Sequence, residues 1–168
     1  MVLWLIGISG AGKTTLAQML EQYFLRKKRS VYILDGDLIR EFYDNDLGYS
    51  QVDREANIKR IMLAAYVLDQ NEIITIVANI SPFEYLRQFA RRKIKDYVQI
   101  YLQKDIHISM RNDIKGIYKN HLLKTDLVGI DVPFEEPLDN ELILSVDHMT
   151  KEKAYSLIIE FINKKYGV

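Results

Sequence analysis

A glycine-rich segment near the amino terminus, residues 7–14 with the sequence GISGAGKT, constrains the fold of this chain more than any other feature. It fits the pattern G-x-x-x-x-G-K-[ST]. The apolar run Val2–Ile6 before it predicts a buried strand, and apolar residues at helical spacing after it predict a helix over Lys13–Arg26. A strand, a glycine-rich turn and a helix in this order place N–H groups and a helix N-terminus around an anion. The segment therefore predicts a phosphate-binding loop.

A loop of this kind holds a nucleoside triphosphate together with Mg²⁺. Lys13 can reach the β- and γ-phosphates, and the Thr14 hydroxyl is a suitable ligand for Mg²⁺. The alternative, a glycine-rich turn that binds nothing, is disfavoured by the complete pattern in its strand-to-helix context. The loop alone leaves a kinase, a GTPase switch and an ATPase open. The residues expected at the triphosphate are Gly7, Ser9, Gly10, Ala11, Gly12, Lys13, Thr14 and Thr15.

Strands alternate with helices along the whole chain, which predicts an α/β fold. Several strands are continuous apolar runs, as is typical of parallel strands covered on both faces. We predict one domain over residues 1–168, a three-layer sandwich around a mostly parallel sheet, with a lid over about 110–137. The expected strands are 2–6, 30–34, 73–78, 97–102 and 142–146, and the expected helices are 13–26, 51–70, 83–94, 106–121 and 151–164.

The composition excludes several classes of function. The chain contains no cysteine, so disulfides, thiolate-ligated metals and thiol nucleophiles are excluded. The 23 Lys and Arg residues balance 23 Asp and Glu residues, which disfavours a general nucleic-acid binder. No apolar run approaches the ~20 residues of a membrane-spanning helix. We expect a cytoplasmic protein without a nucleic-acid or membrane partner.

Two carboxylates, Asp35 and Asp37, follow the second predicted strand. Because the carboxyl ends of parallel strands meet at one edge of a sheet, both should lie near the phosphate loop. One can help to hold Mg²⁺, and the other can orient and deprotonate an acceptor hydroxyl. The alternative is a polar turn, since Asp-Gly is a common turn dipeptide.

Cationic and polar residues in the middle of the chain are candidates for binding an anionic substrate. Arg40 follows the Asp pair, and Arg54 and Asn57 share one face of a predicted helix. Ile80 and Ser81 follow an apolar strand at the edge where ligands bind. A charged cluster precedes the irregular segment: Arg111, Asp113, Lys115 and Lys119. This cluster fits a basic lid, with a solvated helix as the alternative. The chain has no N-K-x-D string, which disfavours a GTPase switch.

Seven motifs in order along the chain resemble the adenylylsulfate (APS) kinase family. They are the phosphate loop, DGDLIR at 35–40, DLGYS at 46–50, DREANIKR at 53–60, ISP at 80–82, KGIYK at 115–119 and GIDVPFEEP at 129–137. The resemblance spans nearly the whole chain. It implies a P-loop kinase fold and transfer of the γ-phosphoryl group of ATP to the 3′-hydroxyl of a nucleotide, with Mg²⁺. It leaves a homodimer open.

The resemblance also implies roles for individual residues. The expected catalytic residues are Asp37, Lys13 and Asp35, and the expected metal ligands are Thr14 and Asp35. Asp37 is our choice for the base, although the two aspartates could exchange roles. The acceptor site is expected to be lined by Asp37, Arg40, Tyr49, Arg54, Asn57, Ile80, Ser81, Lys115 and Leu127. Tyr49 would offer an aromatic face to the base of the acceptor.

Several departures from the family pattern concern the acceptor. Leu127 stands where the family usually has a Phe that stacks on the acceptor adenine, and Glu84 stands where an Arg is common. The family's R-D-P-K before the lid is N-D-I-K at residues 112–115. A related branch phosphorylates cytidine diphosphoramidate during decoration of capsule polysaccharide. Fewer cations and a lost stacking face suit that acceptor, so the sequence slightly favours it over APS.

Two further functions stay open on the sequence. One is an ATP-binding regulatory module without turnover, which the intact Asp35 and Asp37 pair disfavours. The other is a kinase for a metabolite that is not a nucleotide, which the set of acceptor motifs disfavours.

Overall fold

A computed structural model describes residues 1–111 and 127–167 as five strands and six α-helices. The strands are β1 (Val2–Ile6), β2 (Val31–Asp35), β3 (Ile74–Ala78), β4 (Tyr97–Gln103) and β5 (Leu142–Ser145). The helices are α1 (Lys13–Arg26), α2 (Gly36–Phe42), α3 (Gln51–Gln70), α4 (Glu84–Lys93), α5 (Ile106–Arg111) and α6 (Lys151–Tyr166). All strands pair in parallel, in the order β2-β3-β1-β4-β5. The predicted α/β fold with a parallel sheet is confirmed.

Strand β1 shows why this sequence forms three layers. All five of its residues are buried, as expected for a strand covered on both faces. Val2, Trp4 and Ile6 belong to a core cluster that includes residues of α3 and α4. Leu3 and Leu5 belong to a second cluster that includes residues of α1 and α6. The period-2 alternation of a strand thus builds one apolar layer on each side of the sheet.

The strand order places the site. Strand β1 lies between β3 and β4, so the chain crosses over at the centre of the sheet. Ligands in open α/β sheets bind beyond the carboxyl ends of the strands at such a switch point. The phosphate loop follows β1, the Asp pair lies at the end of β2, and residues 79–82 follow β3. The predicted ligand edge is therefore one continuous edge of the sheet.

Most element boundaries fall within a residue or two of the predicted ones, with one omission. Helix α2 begins at Gly36, where the sequence predicted only a polar turn or a strand end. Asp35 is the N-cap of this helix, because its side chain accepts a hydrogen bond from the N–H of Asp37. The predicted helix over 106–121 is described only to Arg111, and residues 112–126 of the predicted lid lie outside the described residues. No helix in the described ranges combines the length and apolar character required to cross a bilayer.

The segment before β5 is fixed by a single carboxylate. Glu141 accepts hydrogen bonds from Arg91 at 2.5 and 3.0 Å and from the N–H of Gln99 at 2.7 Å. Partial burial alone would raise the pKa of Glu141, but the hydrogen bonds from Arg91 and Gln99 prevail and lower it below the usual 4.5. Because the folded pKa is depressed, this group stabilises the protein above its unfolded pKa, and the contribution is lost as the pH falls through the folded pKa.

We expect Glu141→Gln to lower the melting temperature at pH 7, on the order of 2–4 °C for each kcal/mol lost in a chain of this size. The gap to the wild type should close as the pH falls below about 4.5, since the wild-type carboxylate then protonates as well. Thermal unfolding followed by circular dichroism between pH 7 and pH 3 measures this. Glu160→Gln, at an exposed position of α6, is the matched control. A gap that stays constant with pH would contradict the assignment.

Candidate active site

The phosphate loop is held open by left-handed glycines and closed by a lysine. Gly10 and Gly12 have φ of 78° and 91°, a region that side chains rarely adopt. Gly12 is the N-cap of α1, so the positive end of a 14-residue helix points into the loop. The Lys13 ammonium donates to the carbonyl oxygens of Gly7 and Ile8, at 2.8 Å each. This arrangement fits an anion with several oxygens.

Thr14 and Asp35 form the contact that joins the phosphate loop to the Asp pair. The Thr14 hydroxyl donates to one Asp35 carboxylate oxygen at 3.1 Å, and the other oxygen accepts from the N–H of Asp37 at 2.9 Å. Neighbouring ligands of octahedral Mg²⁺ lie about 2.9 Å apart, because each lies about 2.1 Å from the ion. The two oxygens therefore fit Mg²⁺. No group of three or more His, Asp or Glu residues in ranges 1–111 and 127–167 forms a metal cage, so water and phosphate would complete the shell.

Asp37 differs from Asp35 in what its carboxylate contacts. Asp37 lies in the first turn of α2 and is exposed. Within the described part of the chain no group donates a hydrogen bond to its carboxylate, whereas both oxygens of Asp35 accept one. A base needs a lone pair that is available to the acceptor hydroxyl. The geometry thus favours Asp37 as the base and Asp35 as the metal ligand.

Two predicted acceptor residues, Arg40 and Arg54, both contact the loop around Tyr49. Arg40 is buried and donates to the carbonyl oxygens of Leu47 and Gly48 at 3.2 and 2.7 Å. Arg54 donates to the carbonyl oxygen of Tyr49 at 2.8 Å. Their guanidinium carbons lie 4.6 and 5.4 Å from the centre of the Tyr49 ring. The ring is therefore not the open aromatic face that the sequence predicted, and an acceptor base would share it with two cations.

Asn57 is the predicted acceptor residue with an unused hydrogen-bonding atom. It is 2% exposed, and its Nδ2 donates to the carbonyl oxygen of Gly36 at 3.1 Å. Its Oδ1 is buried and has no hydrogen-bond partner among the described residues. An unpaired buried acceptor atom is costly, so a donor group on a ligand would stabilise this side chain.

Residues 80–82 after β3 form a turn that contains Ser81 with φ of 49°. The Ser81 hydroxyl accepts a hydrogen bond from the indole N–H of Trp4 and donates one to Asn79 Oδ1, both at 2.9 Å. Ser81 is 1% exposed, so its hydroxyl is already partnered in the interior. The half-buried Ile80 packs against the core cluster of α3 and α4. Trp4 and Asn79, which the sequence analysis missed, hold this turn.

Leu127 lies at the start of a tight turn on the other side of the phosphate loop. Its carbonyl oxygen accepts from the N–H groups of Ile130, Asp131 and Val132 at 3.1, 2.8 and 3.2 Å. The turn lines a cavity of about 430 Å³ whose other walls include Ile8 of the phosphate loop and Tyr101 of β4. Lys104, another residue that the sequence analysis missed, lines the cavity and donates to the carbonyl oxygen of Gly10 at 2.9 Å. Lys115 lies outside the described residues.

Comparisons with known proteins agree with this geometry. The model of the adenylylsulphate kinase family matches residues 1–145. An adenylyl-sulfate kinase of Halothermothrix orenii is 38% identical over 96% of this chain and 89% of its own length. A probable adenylyl-sulfate kinase of Bacillus subtilis is 37% identical over 98% of this chain and 85% of its own length. The structure of the Mycobacterium tuberculosis APS kinase CysC in complex with AMPPNP and APS superposes with a TM-score of 0.89 at 29% identity, covering 96% of both chains.

The family assignment rests on the whole chain and on its site together. The match covers the phosphate loop, the Asp pair and the acceptor-side residues in one alignment, and the fold is the same. This chain belongs to the adenylylsulphate kinase family and is an ATP- and Mg²⁺-dependent enzyme that transfers a phosphoryl group to a hydroxyl group.

Proposed function

We propose that the protein phosphorylates the 3′-hydroxyl of adenylylsulfate, with ATP as the donor, and forms 3′-phosphoadenylylsulfate and ADP. The observation that carries the proposal is the contact of Thr14 with Asp35, which brings the donor loop next to the Asp pair. The relatives named adenylyl-sulfate kinases support APS as the acceptor. They favour it over cytidine diphosphoramidate, which our reading of the sequence slightly preferred.

The chain's own residues can carry out the transfer in line. Lys13 and the N-terminus of α1 hold and neutralise the phosphates of ATP. Asp37 orients the 3′-hydroxyl and takes its proton as the new bond forms. Thr14 and Asp35 would hold Mg²⁺, which supplies positive charge to the phosphoryl oxygens. Positioning and charge stabilisation account for most of the rate enhancement in phosphoryl transfer.

Cytidine diphosphoramidate remains the second candidate because of two residues. Glu84, in the position of a common family Arg, accepts hydrogen bonds from Arg87 and Gln88 and so adds no cation to the site. Leu127 is half-buried and provides no aromatic ring for stacking. A site with one stacking face less should discriminate less against a smaller base.

Leu127→Phe should raise the ratio of kcat/KM for APS over cytidine diphosphoramidate by about 10-fold, because stacking of one base on an aromatic ring contributes ~1–3 kcal/mol. The assay follows ADP release from MgATP with each acceptor and maps the phosphate on the product. Leu138→Phe, at an exposed position of the same segment, is the control and should leave the ratio unchanged.

The outcome of the wild-type assay decides between the acceptors. Preference for APS supports sulfate activation, and preference for the cytidine nucleotide supports capsule modification. ATP binding without turnover of either would favour the regulatory module. An unchanged ratio in Leu127→Phe would contradict the stacking argument.

The remaining features of the proposal are its organisation and location. We propose a single P-loop nucleotide kinase domain over residues 1–168, with a lid over about 110–137 that carries Lys115 to the acceptor and excludes water. A homodimer and a cytoplasmic location belong to the same proposal. Light scattering of the purified protein tests the homodimer.

A further inference from the structure

Arg87 is a buried cation in helix α4 that the proposed mechanism does not use. It is 2% exposed, although an arginine is rarely buried without several partners. Its guanidinium group donates to the carbonyl oxygens of Ser81 and Glu135, both at 2.6 Å, and forms an ion pair with Glu84 at 2.6 Å. These three partners belong to the turn at residues 80–82, to the start of α4 and to the segment that follows the lid.

The first partner, Ser81, has a strained backbone. A non-glycine residue with φ of 49° costs free energy and persists only where the surroundings over-determine it. Here the N–H and the hydroxyl of Ser81 both donate to Asn79, the hydroxyl accepts from Trp4, and the carbonyl accepts from Arg87. Arg87 is thus the contact that holds this turn from the side of α4.

The second partner belongs to the strap, which we define as residues 133–137. The N–H of Glu135 donates to the carbonyl oxygen of Pro82 at 2.9 Å, and the Glu135 side chain accepts from the N–H of Glu84. Phe134 stacks on Tyr101 with ring centres 5.7 Å apart, and the Arg87 guanidinium lies 5.6 Å from the Phe134 ring. Arg87 therefore lies where the Ser81 turn and the strap meet.

We infer that Arg87 is a positioning residue of the acceptor site, which fixes the Ser81 turn and the strap relative to each other. The inference rests on the proposed function, because that function places both elements beside the acceptor. The strap connects the Leu127 turn to the rest of the protein, so a shift of the strap moves the acceptor wall. The phosphate loop makes none of the Arg87 contacts given above, so binding of ATP should not depend on Arg87.

Arg91, one helical turn further along α4, offers a matched control. It also donates to a main-chain carbonyl oxygen of the returning segment, that of Asp139, and forms an ion pair with Glu141. It holds the same segment four residues later, and none of its contacts involves Ser81. A purely structural role would make the two arginines equivalent in kinetics.

The test compares Arg87→Gln with Arg91→Gln in steady-state kinetics. We expect Arg87→Gln to lower kcat/KM for the acceptor by about 10- to 100-fold, as displacements near 1 Å do, and to leave the KM for ATP within about twofold. Arg91→Gln should lower the melting temperature but keep the acceptor KM. Glu135→Ala removes a link of the strap without touching the buried arginine, and should raise the acceptor KM even if Arg87→Gln does not fold.

A second readout needs no turnover. Trp4 is the single tryptophan and its indole N–H bonds to Ser81, so its emission reports on the turn. Arg87→Gln should shift the emission maximum, and Arg92→Gln, at an exposed position of α4, should not. If the wild type phosphorylated neither acceptor, the proposed function would fail while this shift still tested Arg87. Unchanged Trp4 emission in Arg87→Gln, or an equal rise in acceptor KM in Arg91→Gln, would overturn the inference.

Discussion

Lys13→Ala should abolish phosphoryl transfer, with a fall in kcat of about 10³-fold or more. The ammonium group lies over the phosphate loop, bonded to the carbonyl oxygens of Gly7 and Ile8, where the charge of the transferred phosphoryl group develops. A second ammonium group, that of Lys104, contacts the same loop at Gly10. We therefore expect ATP affinity to fall less than kcat does.

The measurement is ADP release with saturating acceptor over a range of MgATP concentrations, combined with equilibrium binding of ATP. Lys27→Ala is the control, because Lys27 is an exposed residue that follows the last turn of α1, away from the loop. Turnover of Lys13→Ala at the wild-type rate would remove the mechanism proposed above.

Asp37→Asn is expected to have the next largest effect, a loss of about 10²- to 10⁴-fold in kcat, which is the usual contribution of a general base. The asparagine keeps the size of the side chain and loses the lone pair that takes the proton. ATP affinity should stay the same, because the Asp37 N–H that bonds to Asp35 is part of the main chain.

Asp35→Asn is the comparison that separates the two aspartates. Its carboxylate accepts from Thr14 and caps α2, so the variant should need a higher Mg²⁺ concentration for half-maximal activity. Titration of activity with Mg²⁺ in both variants distinguishes base from metal ligand. If Asp37→Asn needs more Mg²⁺ and Asp35→Asn does not, the roles are exchanged.

The sequence predicted best those parts of the protein that depend on local periodicity. Helices α1 and α3 have the predicted bounds, because apolar residues at helical spacing fix which face is buried. Helix α2 was missed because Asp35-Gly36 is a common turn pair, and nothing local shows that Asp35 caps a helix.

Contacts between distant residues could not be predicted in the same way. The bond from Trp4 to Ser81 joins residues 77 apart, and the bond from Arg87 to Glu135 joins residues 48 apart. One signal for Arg87 was present in the sequence: it shares the apolar stripe of α4 with Leu86 and Ala90, where a cation must find buried partners. Its partners themselves become known only from the fold.

The central position of β1 has a consequence for how the enzyme matures on the ribosome. The first strand to be synthesised pairs with β3 through residues 75–78 and with β4 through residues 97–101. Its pairing must therefore wait until more than half of the chain has emerged, since contacts between distant segments form slowly. The nucleotide-binding segment is made first, yet it is scaffolded among the last. A nascent chain that carries the complete glycine-rich motif is still incompetent to bind nucleotide.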